Sequence, residues 1–132
     1  MKLSAYLAAR RPAWDWQRLD CCRWVDGWCL ANGWGSPMAA IGVRYDSERS
    51  ALLTIKRGGG LVKLWSKGMA AVGLSEVDEW DTLAPGDIGI IRRATVCGLD
   101  EAAAIWTGER WATLGLRGLD FGPGEALAVW RG

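Results

Sequence analysis

Trp14-Asp15-Trp16-Gln17-Arg18-Leu19-Asp20-Cys21-Cys22-Arg23-Trp24-Val25-Asp26-Gly27-Trp28-Cys29-Leu30-Ala31-Asn32-Gly33 holds three of the four cysteines and four of the ten tryptophans of the chain. Asp20 is a good N-cap, because a carboxylate there accepts hydrogen bonds from the unpaired N–H groups of the next residues. A helix then starts at Cys21. Val25, Trp28 and Cys29 follow Cys21 at offsets of four, seven and eight, on one stripe of a 3.6-residue period. Asn32-Gly33 supplies a left-handed stop. The spacing therefore puts a cysteine in the first turn of a buried helix, where the partial positive charge of unpaired amides favours a thiolate. A cysteine nucleophile would be placed there.

Outward from this stretch, 132 residues suit one domain with a real core, residues 1–132. Sixteen Lys and Arg balance fifteen Asp and Glu, with no basic or acidic block, so electrostatic capture of nucleic acid or of an anionic membrane has no support. The start is too short and too interrupted for a signal peptide, and no apolar run approaches the ~18 residues of a membrane span. Synthesis in the cytoplasm is expected. Cys22 and Cys29 lie about 10 Å apart along a helix axis, beyond the roughly 7 Å that a disulfide bridges. Free thiols are expected, and any pairing would have to involve Cys97. No Cys-x-x-Cys spacing exists and the chain has no histidine, so neither a metal nor a cofactor is expected.

Leu3, Tyr6 and Leu7 share a helical face, which predicts a short helix over 2–10 packed against the one at Cys21. Residues 34–45, rich in Gly and Pro, read as an irregular connection. Asp46 or Ser47 caps a helix with Ala51, Leu52 and Ile55 on one side, ended by Gly58-Gly59-Gly60. That triplet lacks the Lys-Ser/Thr and the preceding strand of a phosphate loop. Leu61, Leu64 and Trp65 predict another short helix stopping near Gly68, and the acidic residues Glu76, Asp78, Glu79 and Asp81 read as a solvated face. The period then changes. Residues 87–93, 102–107 and 110–115 read as strands, with a tight turn at Gly108-Glu109, a further strand or turn at 116–121 and a short helix or last strand at 125–130. Helices over about 1–84 and an antiparallel meander over about 85–132 make an α+β domain.

Three segments resemble, in order and spacing, those of the NlpC-type cell-wall endopeptidases, a compact branch of the papain-like cysteine peptidases. Asp20-Cys21-Cys22-Arg23-Trp24-Val25 resembles their Asp-Cys-Ser-Gly-Phe-Val, whose cysteine is the nucleophile. Leu83-Ala84-Pro85-Gly86-Asp87-Ile88-Gly89-Ile90-Ile91 resembles their Pro-Gly-Asp-Leu-Val-Phe-Phe. Ala102-Ala103-Ala104-Ile105-Trp106-Thr107-Gly108 resembles their His-Val-Gly-Ile-Tyr-Leu-Gly, whose first residue is the catalytic histidine. The Trp-rich flanks of Asp20-Cys21-Cys22 and the terminal Ala128-Val129-Trp130-Arg131 are also similar to small proteins encoded in tail gene clusters of phages and gene transfer agents.

The resemblance implies a papain-like fold with Cys21 at the nucleophile position, and Ala102 stands where it requires histidine. Without that base a cysteine of ordinary pKa is only a few per cent thiolate at neutral pH, and general base catalysis is worth about 10² to 10⁴. Asp100 and Glu101 lie beside the empty position, but a carboxylate is a weak base for a thiol. The resemblance thus implies a structural tail component at or near the tail tip, holding other tail proteins as partners. A peptidoglycan endopeptidase or amidase using Cys21 with a non-histidine or borrowed base is the alternative, and a glycan-binding module a third.

Ten tryptophans are more than so small a core can hide. Trp24, Trp28 and Trp106 are assigned to the core. Trp14, Trp16, Trp34, Trp65, Trp80 and Trp111 are the interface candidates, because tryptophan is a preferred interface anchor. Sugar sites add Asp, Asn and Gln beside their aromatic platforms, and this chain has one Asn and one Gln, which favours protein docking over glycan stacking.

Overall fold

The computed structural model describes residues 2–78, 82–93 and 100–132. Trp80 and Cys97, two of the residues singled out above, lie outside the described residues, as do Glu79 and Asp81. Among the described residues five helices, α1 (Leu3–Ala8), α2 (Cys21–Ala31), α3 (Pro37–Ala40), α4 (Glu48–Arg57) and α5 (Leu61–Ala71), precede six strands. The strands are β1 (Ser75–Glu76), β2 (Ile88–Arg92), β3 (Glu101–Trp106), β4 (Trp111–Gly115), β5 (Gly118–Gly122) and β6 (Glu125–Arg131). They form one sheet in the order β1-β6-β2-β3-β4-β5, with every neighbouring pair antiparallel. The α+β class follows directly.

Helix boundaries follow local chemistry. The Asp20 carboxylate accepts the Arg23 N–H at 3.0 Å and opens α2. At the other end Gly33, with φ of 74°, donates to the Leu30 carbonyl while Trp34 donates to that of Cys29, a Schellman stop. The Gly58-Gly59-Gly60 run works the same way. Gly59 and Gly60 donate to Lys56 and Ile55, closing α4 and leading into α5. Ser47 and Ser50 cap each other's backbone at the start of α4.

Two elements depart from the expected pattern. Residues 34–45 contain α3, capped by Ser36 with Pro37 in its first turn, where a missing N–H costs nothing. The α5 helix does not stop near Gly68 but continues to Ala71. Gly68 is instead a contact glycine: a Cβ there would lie 2.9 Å from both the Cβ and the carbonyl oxygen of Pro37. β1 falls in the stretch read as a solvated acidic face, and it pairs Ser75 with Arg131 and Glu76 with Trp130. Residues 125–130 extend as a strand and not a helix, and 116–121 contain β5.

The main core lies between the helices and one face of the sheet. Trp24, Val25, Trp28 and Cys29 of α2 and Leu61, Trp65 and Met69 of α5 meet Ile88, Ile90, Ala103, Ile105, Ala112 and Leu114. A second cluster, Ile91, Ala102, Ala104, Trp111 and Val129, takes the alternate positions of the same strands, as the two-residue strand period requires. Tyr6 of α1 covers α2, its ring 5.6 Å from Trp24 and 5.3 Å from Trp28 and its hydroxyl donating to the Trp24 carbonyl. The Pro85-Gly86 turn is held by Asp87, whose buried carboxylate accepts the Ala84 N–H at 2.8 Å and the Arg131 guanidinium at 2.8 and 2.7 Å. The Trp28 indole donates to the Gly86 carbonyl at 3.1 Å, which ties α2 to that turn.

Two predictions follow from this packing. Gly68→Ala gains about 1 kcal/mol of helix propensity but overpacks against Pro37, which costs about 1–3 kcal/mol. A net loss of up to about 2 kcal/mol is expected in denaturant unfolding. Burial, with Asp26 adding to it, pushes the Cys29 thiol up to about 12, whereas an unfolded cysteine ionises near 8.5. A group raised in the folded state contributes its stability below the unfolded pKa and loses it as pH climbs toward the folded one. The melting temperature should therefore fall between about pH 8.5 and 12, less steeply in Cys29→Ala.

Candidate functional site: a two-cysteine cleft

Cys21 and Cys22 occupy the first two positions of α2, both half-buried and both free. The neighbours that act on the Cys21 sulfur are the Cys22 thiol and the backbone amides of Ala103 and Cys22. The Cys22 thiol, acting as donor, shifts the Cys21 pKa downward most, and the amides add to it, against the opposing effects of burial and Asp20. Cys22 moves the other way, well above an ordinary thiol, because its proton is engaged by Cys21 and its surroundings are dry. The two sulfurs are thus biased in opposite directions, Cys21 toward the thiolate and Cys22 toward the thiol.

Asp20 fixes this helix start. Besides the Arg23 N–H, its carboxylate accepts the Arg23 guanidinium at 3.0 Å and the Tyr45 hydroxyl at 2.7 Å. Arg23 also donates to the carbonyls of Trp16 and Tyr45 and lies 4.2 Å above the Tyr45 ring. The ligand atoms of Asp20, Cys21 and Cys22 lie within 4.8 Å of one another. The Asp20 oxygens already accept three donors, so a metal ion there would compete with Arg23 and Tyr45 for the carboxylate.

The cysteines open onto a cleft of about 390 Å³ between α3, α4 and α5 and the β4 side of the sheet. Ala102 lines it too and is 2 % exposed, in the same apolar cluster that Cys21 touches. Ala102, expected at the base position, thus lines the same cleft as Cys21. It carries only a methyl group. Of the two neighbouring carboxylates, Glu101 lines the cleft, whereas Asp100 is exposed and faces Arg92 at 3.9 Å. The Thr113 hydroxyl donates to the Ala103 carbonyl at 2.8 Å and steadies β3 beside the sulfur.

The interface candidates divide. A tight loop, closed by reciprocal 2.7 Å hydrogen bonds between Asp15 and Leu19, presents Trp14 and Trp16 to the cleft. Their rings meet edge-on at 5.1 Å and both are half-buried. The Trp14 indole N–H is buried without a hydrogen-bond partner. Trp34 is half-buried against the edge of Trp28, 6.1 Å away. Trp65 and Trp111 are corrections, being only 5 % and 2 % exposed and so not on the surface. Trp65 lies on the inner stripe of α5 that α2 and the sheet cover, and Trp111 packs on Trp106 at 5.1 Å and against Gly89, where no side chain intervenes. Trp106, assigned to the core, is half-buried beside it.

Tyr45, Arg23 and Cys22 are the site residues that sequence reasoning missed. Tyr45 is 25 positions from Asp20, in a stretch with no regular period, and no local pattern marks it.

An α+β domain with a helix-start cysteine pair set against an antiparallel sheet is the class of protein defined here. Residues 1–131 match the family described as a domain of unknown function, DUF6950, and the chain belongs to that family. No curated protein and no solved structure matches it. No helix among the described residues is long and apolar enough to cross a membrane.

The thiol pair predicts selective alkylation. Iodoacetamide at pH 7 should label Cys21 at least tenfold faster than Cys22 or Cys29. Cys22→Ala removes the largest stabiliser of the Cys21 thiolate and should shift the alkylation profile of Cys21 to higher pH, as read by peptide mass mapping.

Proposed function

We propose that this chain is a non-catalytic structural component of a phage-type tail, at or near the tip, built on an NlpC-type papain-like domain and docked to other tail proteins. The observation that carries the non-catalytic half is Ala102, a buried methyl group in the cleft that Cys21 also lines, in a chain without histidine. A thiolate can form there, but the chain has no imidazole to shuttle its proton to a leaving group, and that step is what makes such a cysteine turn over. The docking half is supported by the half-buried tryptophans Trp14, Trp16 and Trp34, large apolar surfaces that a partner would desolvate. The tail assignment rests on the likeness to tail-cluster proteins.

In particles assembled with Cys21→Ala, incorporation should match wild type. Trp16→Asp combined with Trp34→Asp should lower it at least tenfold by quantitative immunoblot, with circular dichroism showing the variant folded. Absence of the wild-type chain from purified tails, or full incorporation of the double variant, would sink the reading.

The downward shift of the Cys21 pKa favours one second reading, a peptidoglycan endopeptidase or amidase whose base is Glu101 or comes from a neighbouring molecule. Release of peptide fragments from purified peptidoglycan, lost in Cys21→Ser, would establish it.

A further inference from the structure

The cleft above Cys21 is larger and drier than a structural cysteine needs. Leu52, Ile55, Leu61 and Leu64 form one wall, Ile41 and Val43 extend it, and the cysteine pair sits at the α2 end. Its 390 Å³ is within the range of small-ligand pockets, about 300–1,000 Å³. A methylene takes roughly the space of a water, about 30 Å³, so there is room for on the order of a dozen carbons. An extended peptide would bring a polar amide at every residue into aliphatic walls that offer few partners, at a cost for each unpaired group. A single aliphatic chain with one carbonyl at its end avoids that cost.

We propose that the cleft is an acyl pocket and that Cys21 is its acceptor, taking a medium- to long-chain acyl group from an acyl thioester and keeping it. This goes beyond the tail reading and does not depend on where the chain assembles. The Cys21 proton leaves to solvent, and the thiolate sulfur attacks the thioester carbonyl carbon. A new S–C bond forms as the carrier's S–C bond breaks, and the carrier departs as a thiolate that takes up a proton from water. One thioester replaces another, so no oxidant, reductant or metal is consumed. Removing the acyl group requires water activated by a base; the chain has no imidazole, and Ala102 lines the cleft with only a methyl group. The same absence that prevents turnover therefore makes the adduct persist.

The purified full-length chain is incubated with acetyl-, octanoyl- and lauroyl-coenzyme A and followed by intact mass and peptide mapping. A single adduct on Cys21 is expected, removed by neutral hydroxylamine and absent in Cys21→Ala. Its rate should rise about two- to fourfold per added methylene, the worth of burying one CH₂, and level off near a dozen carbons. Ala51→Phe, which puts a ring into the cleft, should lower the ratio of lauroyl to acetyl rates. The wild-type chain-length series decides the question even if that variant fails to fold. Equal rates for acetyl and lauroyl donors would overturn the proposal. So would adducts spread comparably over Cys22 and Cys29, or steady release of free lauric acid as fast as acylation.

Discussion

The Asp20 carboxylate is the constraint around which the site is arranged. A carboxylate buried without partners would be expensive, and this one is satisfied by the Arg23 amide, the Arg23 guanidinium and the Tyr45 hydroxyl. Each partner does a second job. The amide bond sets the residue at which α2 begins and so which cysteine is first. The guanidinium reaches the carbonyls of Trp16 and Tyr45, holding the loop that carries Trp14 and Trp16 against the loop before α4. Because α2 then packs along the sheet through Val25, Trp28 and Cys29, the sulfur of residue 21 can only come to rest beside the start of β3.

This chain of dependence explains why some of the structure is legible in the sequence and some is not. The α2 start needs only an N-cap and a 3.6-residue stripe, both local. Pro85-Gly86-Asp87 is legible as a turn, and Gly108 as a hairpin, because their backbone requirements are met within a few residues. Some of the partners that make these features stable are remote: Asp87 is paired with Arg131, and Asp20 accepts the Tyr45 hydroxyl. Gly68 shows the ambiguity most clearly. Glycine in a helical pattern reads as a stop, yet here its missing side chain admits Pro37 and the helix continues. Periodicity shows that Trp65 belongs to an apolar stripe, but whether that stripe meets a core or a partner depends on where α2 and the sheet lie. The place of Trp111 depends on the width of the sheet and on Gly89 across it.

The site separates two properties that cysteine hydrolases keep together. Stabilising a thiolate requires donors near the sulfur, and Cys22 with the amides of Ala103 and Cys22 provides them. Cycling through catalysis requires a group that accepts a proton at one step and returns it at the next. Cys22 cannot take that role, since its own pKa is raised well above that of an ordinary thiol and its proton stays in place at neutral pH.

The consequence for chemistry is asymmetric. Attack by a thiolate on an activated carbonyl needs no base at the moment of bond formation, because the leaving group departs as an anion stable enough to find its own proton. Hydrolysis of the product needs water made nucleophilic, a step for which a positioned base is worth about 10² to 10⁴. A sulfur in an apolar cleft without an imidazole is therefore not inert. On the acyl-pocket proposal, what would be an intermediate in a hydrolase becomes an end point, shielded by the cleft from the water that would release it.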